Sequence, residues 1–129
     1  MTKGVFMNEN KLKILVVENE RIVAWELMSR LKRLGHDVCA TAATGEDAVR
    51  LALECLPSLV LMDIMLDGEM DGIEAAREIR YLLNLPVIFC SAFSKEMQVR
   101  ANEVSPLGFV EKPMNWNILE NLLSGVGTN

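Results

Sequence analysis

The stretch Leu59-Val-Leu-Met-Asp63-Ile-Met-Leu66 decides how the rest of the chain is read. Four apolar residues run without alternation into a single carboxylate. Parallel strands are covered on both faces and read as continuous apolar runs, which predicts a buried parallel strand over Leu59 to Asp63. In open α/β sheets chemistry gathers outside the carboxyl ends of the strands, so Asp63 stands where a reactive group belongs. An Asp also suits a strand end or a turn with no further role. The residues around it in space must decide between the two.

Working outward, Lys13 to Val17 is a short apolar strand that stops at Glu18-Asn19-Glu20. Arg21 to Leu34 carries Val23, Leu27, Leu31 and Leu34 on one helical stripe, with Gly35 as its stop. Asp37 to Ala42 is a second strand. Thr44-Gly-Glu-Asp47 resembles a capping box before a helix that Pro57 closes near Leu56. Beyond Asp63, a turn-rich loop from Asp67 to Gly72 leads to a helix over Ile73 to Leu83. Pro86 to Cys90 is a fourth strand ending at Ser91, then a helix covers about Ser94 to Asn102. Gly108 to Glu111 is a fifth strand, followed by Lys112-Pro113 and a helix from Asn115 to Leu123. Five strands alternating with five helices imply a doubly wound parallel sheet with helices on both faces.

A chain of 129 residues is one domain. Residues 1–10 read as a polar arm, 11–124 as the domain and 125–129 as a frayed tail. A net charge of −5 with no basic cluster argues against nucleic-acid binding. No apolar run approaches the roughly 18 residues of a membrane span, and no signal peptide is evident. Cys39, Cys55 and Cys90 lie far apart in apolar stretches, as buried free thiols of a reducing cytoplasm would.

The expected sheet brings Glu18, Asn19, Asp63, Ser91 and Lys112 to one edge. A carboxylate there is able to attack phosphorus and form an acyl phosphate. Glu18 and Asp63 suit a hard cation such as Mg²⁺, which takes one or two carboxylates and completes its shell with water and phosphate oxygens. Lys112 supplies a point charge and Ser91 a hydroxyl donor for the charge that develops.

From Lys11 to Leu123 the chain resembles the receiver domains of two-component response regulators. The resemblance rests on ILVVENE, LVLMDIML followed by DGIEA, SAF and GFVEKP. It implies a flavodoxin-like (βα)5 fold with strand order 2-1-3-4-5. It also implies that Asp63 accepts a phosphoryl group from the phosphohistidine of a histidine kinase or phosphotransfer domain. By the same resemblance Ser91 is the switch hydroxyl, Phe109 the switch aromatic and Lys112 the family lysine. Met65 offers its backbone carbonyl to Mg²⁺, and Lys112-Pro113 is often a cis bond. Phosphorylation is expected to reshape the face made by the fourth helix, fifth strand and fifth helix, through which a homodimer is possible. Ile22, Trp25 and Glu26 on the first helix are expected to dock the partner. Met65 and Phe93, two residues after Asp63 and Ser91, cannot polarise a water, so slow autodephosphorylation is the most that is expected.

One position departs from the family. Asn19 stands where a second acidic residue usually ligates the metal, which predicts weakened Mg²⁺ binding. Glu20 is expected to point into the following helix, and Asp67 and Glu69 to stay out of the site. Asn19 keeps open a pseudo-receiver, a binding module that does not rely on phosphorylation. A haloacid dehalogenase-type phosphatase would need a second Asp where Met65 stands. A flavodoxin would need a Ser/Thr/Gly phosphate loop in place of Glu18-Asn19-Glu20. With no output domain in the sequence, the chain is expected to be a stand-alone receiver, a phosphorelay intermediate or a piece of a longer regulator.

Overall fold

The computed structural model describes residues 11–126. Five strands, β1 (Lys13–Val17), β2 (Asp37–Ala42), β3 (Leu59–Met62), β4 (Val87–Ser91) and β5 (Gly108–Glu111), form one sheet. All neighbours are parallel and their order is β2-β1-β3-β4-β5. Helices α1 (Arg21–Arg33), α2 (Gly45–Cys55), α3 (Gly72–Leu83), α4 (Lys95–Asn102) and α5 (Trp116–Ser124) fill the connections.

Strand side chains alternate between faces, and the core divides accordingly. Leu15, Val17, Val60, Met62, Val87 and Phe89 pack with Ala48, Ala52, Ile73, Ala76, Ile79 and Ala101 of α2, α3 and α4. Ile14, Val16, Leu59, Leu61, Ile88 and Cys90 pack with Leu27 and Leu31 of α1 and Leu119 and Leu123 of α5. Burying one such aliphatic side chain stabilises the fold by about 1.5–3 kcal/mol. The unbroken apolar reading of β3 and β4 follows, since every residue of both is buried.

The helix boundaries have local causes. His36 N–H reaches Leu31 O and Gly35 N–H reaches Lys32 O, closing α1 with Gly35 at φ 95°. Leu34, expected on the buried stripe, is the cap residue instead and is exposed. Thr44 Oγ1 accepts from Asp47 N–H at 3.1 Å, but the Asp47 carboxylate pairs with Arg50 rather than completing the capping box. The complete box is at α3, where Asp71 and Glu74 exchange 2.9 Å bonds. Its signature, Asp71-Gly-Ile-Glu74, straddles the boundary between the loop read to Gly72 and the helix read from Ile73.

All three cysteines are free. Cys90 is fully buried, whereas Cys39 and Cys55 are half-buried and their thiols meet between β2 and α2. Val126, assigned by sequence to the tail, packs into the α1–α5 side of the core. The arm at residues 1–10 and the end of the tail at 127–129 lie outside the described residues.

Candidate functional site

The carboxyl ends of β1, β3, β4 and β5 converge as the alternation requires. Glu18, Asp63 and Ser91 are each more than nine-tenths buried, and they are the only polar side chains so buried among the described residues. Asp63 sits one residue past β3, held in the ladder by its N–H to Val17 O at 2.9 Å. Its Oδ1 accepts from Ser91 Oγ at 3.1 Å and from Met65 N–H at 3.2 Å. Its Oδ2 accepts from Lys112 Nζ at 3.1 Å.

Lys112 also donates to Glu18 Oε1 at 2.6 Å, and Glu18 Oε2 accepts from Glu20 N–H at 3.0 Å. Two buried carboxylates thus share one ammonium. Burial pushes the Glu18 carboxyl above its usual range, with the Asp63 charge adding to it, against the pull of Lys112 and the Glu20 amide. For Lys112 burial works downward, but the bonds to Glu18 and the charge of Asp63 hold its ammonium above the ordinary lysine range. Burial is thus the main cause for Glu18, whereas for Lys112 the two carboxylates outweigh burial.

Surplus buried negative charge is what a divalent cation relieves. Among the described residues no three His, Cys, Asp or Glu side chains converge on one metal position. The buried carboxylates that share Lys112 are two, Glu18 and Asp63. That fits Mg²⁺, which is held by one or two carboxylates and keeps several waters.

Gly72 closes the pocket from below. Its N–H donates to Ile64 O at 2.8 Å, and a Cβ at this position would collide with the Asp63 carbonyl and Ile64 Cα. Only glycine allows α3 to start this close to Asp63. The Lys112-Pro113 bond is cis.

A family profile for the response regulator receiver domain matches residues 14–124. The chain belongs to this family. Transcriptional regulatory protein AfsQ1 of Streptomyces coelicolor is 35% identical to the receiver over 114 residues, 88% of this chain and 50% of that protein. The chain therefore spans about half the length of that relative. The signal receiver domain of a modulated diguanylate cyclase from Desulfovibrio desulfuricans superimposes with a TM-score of 0.84 at 36% identity. That match covers 90% of this chain and 93% of the other. The response regulator domain of Thermotoga maritima CheB shares the fold at a TM-score of 0.82 and 22% identity, over 92% and 98% of the two chains. Receiver domains are in general Mg²⁺-dependent, work with histidine kinases and are not catalytic enzymes. No helix among the described residues is long and apolar enough to cross a membrane.

The remaining sequence-stated positions fall as follows in the receiver. Phe109 is half-buried, stacked on Phe89 at 6.0 Å and edge-on to Phe93 at 5.0 Å. Phe93, Phe109, Lys95, Glu111 and Ile118 line a cleft of about 280 Å³ across α4, β5 and α5. Ile22, Trp25 and Glu26 are on the outward side of α1, with Ile22 77% and Trp25 67% exposed. Trp116 covers the core and carries the Arg30 guanidinium 4.7 Å from its ring centre. Glu20 is exposed at the start of α1, and Glu69 lies with Glu46 and Glu74 along a surface groove.

Asp67 is exposed, and its Oδ1 accepts from Asn19 Nδ2 at 3.4 Å. The loop is held by an isolated parallel bridge between Asp67 and Thr44, ahead of α2, and Gly68 turns at φ 89°. The bridge joins residues distant in sequence, which a reading of local turn preferences does not detect.

Proposed function

We propose that this receiver accepts a phosphoryl group on Asp63 from a phosphohistidine and passes the change to its α4–β5–α5 face. The observation that carries the reading is Asp63 bonded at once by Ser91, Lys112 and the Met65 amide at the carboxyl edge of the sheet. A carboxylate oxygen of Asp63 forms the new P–O bond while the P–N bond of the donor breaks. The electron pair of that bond leaves with the imidazole, which takes a proton from solvent. Lys112 and Ser91 meet the charge on the phosphoryl oxygens. Glu18, Asp63, the Asn19 amide oxygen and the Met65 backbone carbonyl would hold Mg²⁺. When bound, the ion neutralises charge on Asp63 and the incoming phosphoryl group.

The protein partner on this reading is a histidine kinase or phosphotransfer domain seated against Ile22, Trp25 and Glu26. Their exposure beside the β1 edge supports it. A homodimer would form through the α4–β5–α5 face, and the setting is cytoplasmic. Asn19 supports a second reading, a pseudo-receiver that signals by contact alone. Against it, a pocket with no substrate has no need to bury Asp63, Ser91 and Glu18 around one lysine.

Intact mass after incubation with acetyl phosphate, across a Mg²⁺ titration, separates the readings. One added phosphoryl group, absent from Asp63→Asn, is expected. No adduct at any Mg²⁺ concentration, with labelling regained only in Asn19→Asp, would establish the pseudo-receiver.

A further inference from the structure

Asn19 and Asp67 form a contact that neither the family pattern nor the acceptor chemistry requires. Asn19 leads into α1 from β1, and Asp67 is in the loop after β3. A carboxylate accepts and cannot donate, so the Asn19 side chain must turn its NH₂ toward Asp67. The bond is long, 3.4 Å, but the backbone that presents Asp67 is fixed independently. The Thr44 bridge holds it from one side, and Gly68 turns against Glu46 on the other.

An amide whose NH₂ is committed in this way has its carbonyl oxygen left for another partner. The same carboxylate returns one negative charge to the edge where Asn19 removed one. We infer that Asp67 is a positioning residue for the divalent-cation site, holding Asn19 with its oxygen toward the cation and supplying the missing charge at one remove. This rests on the metal site in the proposed function. Groups that orient a ligand in this way set metal affinity although they do not touch the metal. Asp67 is exposed, so its charge acts in partial competition with solvent, and the orienting bond carries the larger share.

The test is Mn²⁺ binding to the unphosphorylated chain, read by the loss of free-ion EPR signal. Asp67→Ala is expected to weaken binding about tenfold. Asp67→Asn, which can still accept from Asn19 but has no charge, is expected between the two. Both retain the Thr44 bridge, which is backbone, and thermal melts check that the fold is intact. In an Asn19→Asp background there is no amide to orient and the two carboxylates repel, so Asp67→Ala should leave binding unchanged or tighten it. A purely structural role for Asp67 would weaken binding in both backgrounds and would overturn the inference. Equal binding by wild type and Asp67→Ala would overturn it as well while leaving the acceptor reading standing, whereas binding only after Asn19→Asp would overturn it together with the metal site of the proposed function. Absence of binding in every variant would remove the metal site from both proposals.

Discussion

Lys112 lies closer to Glu18, at 2.6 Å, than to Asp63, at 3.1 Å. The lysine is thus the counter-charge of the whole pocket and not of the acceptor alone. Removing one partner of a buried ion pair typically costs about 3–5 kcal/mol, because a charge is left without compensation. Lys112→Met leaves two such carboxylates facing each other. Urea unfolding at neutral pH without divalent cation is expected to show a loss near the lower end of that range, since Lys112 itself is partly exposed. Lowering the pH should return part of it by protonating a carboxylate. Unchanged stability would mean that water already compensates the pair.

Glu18 sets the pH dependence on the acid side. Its carboxyl is raised in the folded state, by burial first and by Asp63 second. A raised carboxyl binds its proton more tightly folded than unfolded. Between the unfolded value, near 4.5, and the raised folded one, stability therefore falls as pH rises. Lys112 adds no slope there: its raised value places its contribution fully below the ordinary lysine range, to be lost only as pH climbs through the folded value. Glu18→Gln keeps an oxygen for Lys112 and removes the surplus charge. Comparing melts of the two proteins from pH 4.5 upward should show a decline in wild type that the variant lacks. Parallel curves would assign the slope to other groups.

The fold was legible because β1, β3 and β4 are covered on both faces and so have no polar residue to interrupt them. Glu18, Asp63 and Ser91 were legible for a related reason, as the first polar residues after apolar runs, and Lys112 follows Glu111 at the end of β5. Asp67 was not. Its place depends on a bridge to Thr44, 23 residues earlier in the chain, and local turn preference says only that the loop turns. The α3 capping box was present in the residues Asp71-Gly-Ile-Glu74 but merged with the loop before it. Leu34 follows the helical period but lies one residue beyond Arg33, where α1 ends.

Gly72 ties α3 to Asp63, and its replacement should be felt at both. A Cβ there meets the Asp63 carbonyl and the Ile64 backbone, neither of which is a flexible side-chain end that can move aside. Gly72→Ala is expected to destabilise the chain by about 3 kcal/mol or more, in the class of changes that strain packed backbone. Phosphorylation by acetyl phosphate should also fall in the molecules that remain folded, because Asp63 is displaced. An unaffected melting temperature would show that the loop from Ile64 to Asp71 yields more easily than its packing suggests.

Phe109 lines the α4–β5–α5 cleft and contacts Phe89 and Phe93. If the ring transmits occupancy of Asp63, amide NMR shifts caused by acetyl phosphate and Mg²⁺ should reach Lys95, Glu111 and Ile118 in wild type. In Phe109→Ala they should stay near Asp63 and Ser91. Aromatic truncation in a core costs about 3–5 kcal/mol, and less at a half-buried site, so the variant should remain folded for the comparison. Wild-type spread in the variant would remove Phe109 from the switch.

On the proposed function, the lifetime of an acyl phosphate on Asp63 depends on the residues two after Asp63 and Ser91. Met65 is largely exposed and has no side-chain donor or strong acceptor, and Phe93 is occupied against Phe109. Neither is able to orient or deprotonate an attacking water, and general-base assistance of that kind is worth about 10²–10⁴-fold. The phosphorylated chain, freed of donor by desalting, should therefore lose its added mass over minutes or longer. Met65→Asn places a hydrogen-bonding amide beside the acceptor and should shorten that time. Loss within seconds in wild type would mean that water is positioned by another group, with the backbone around Asp63 the first place to look.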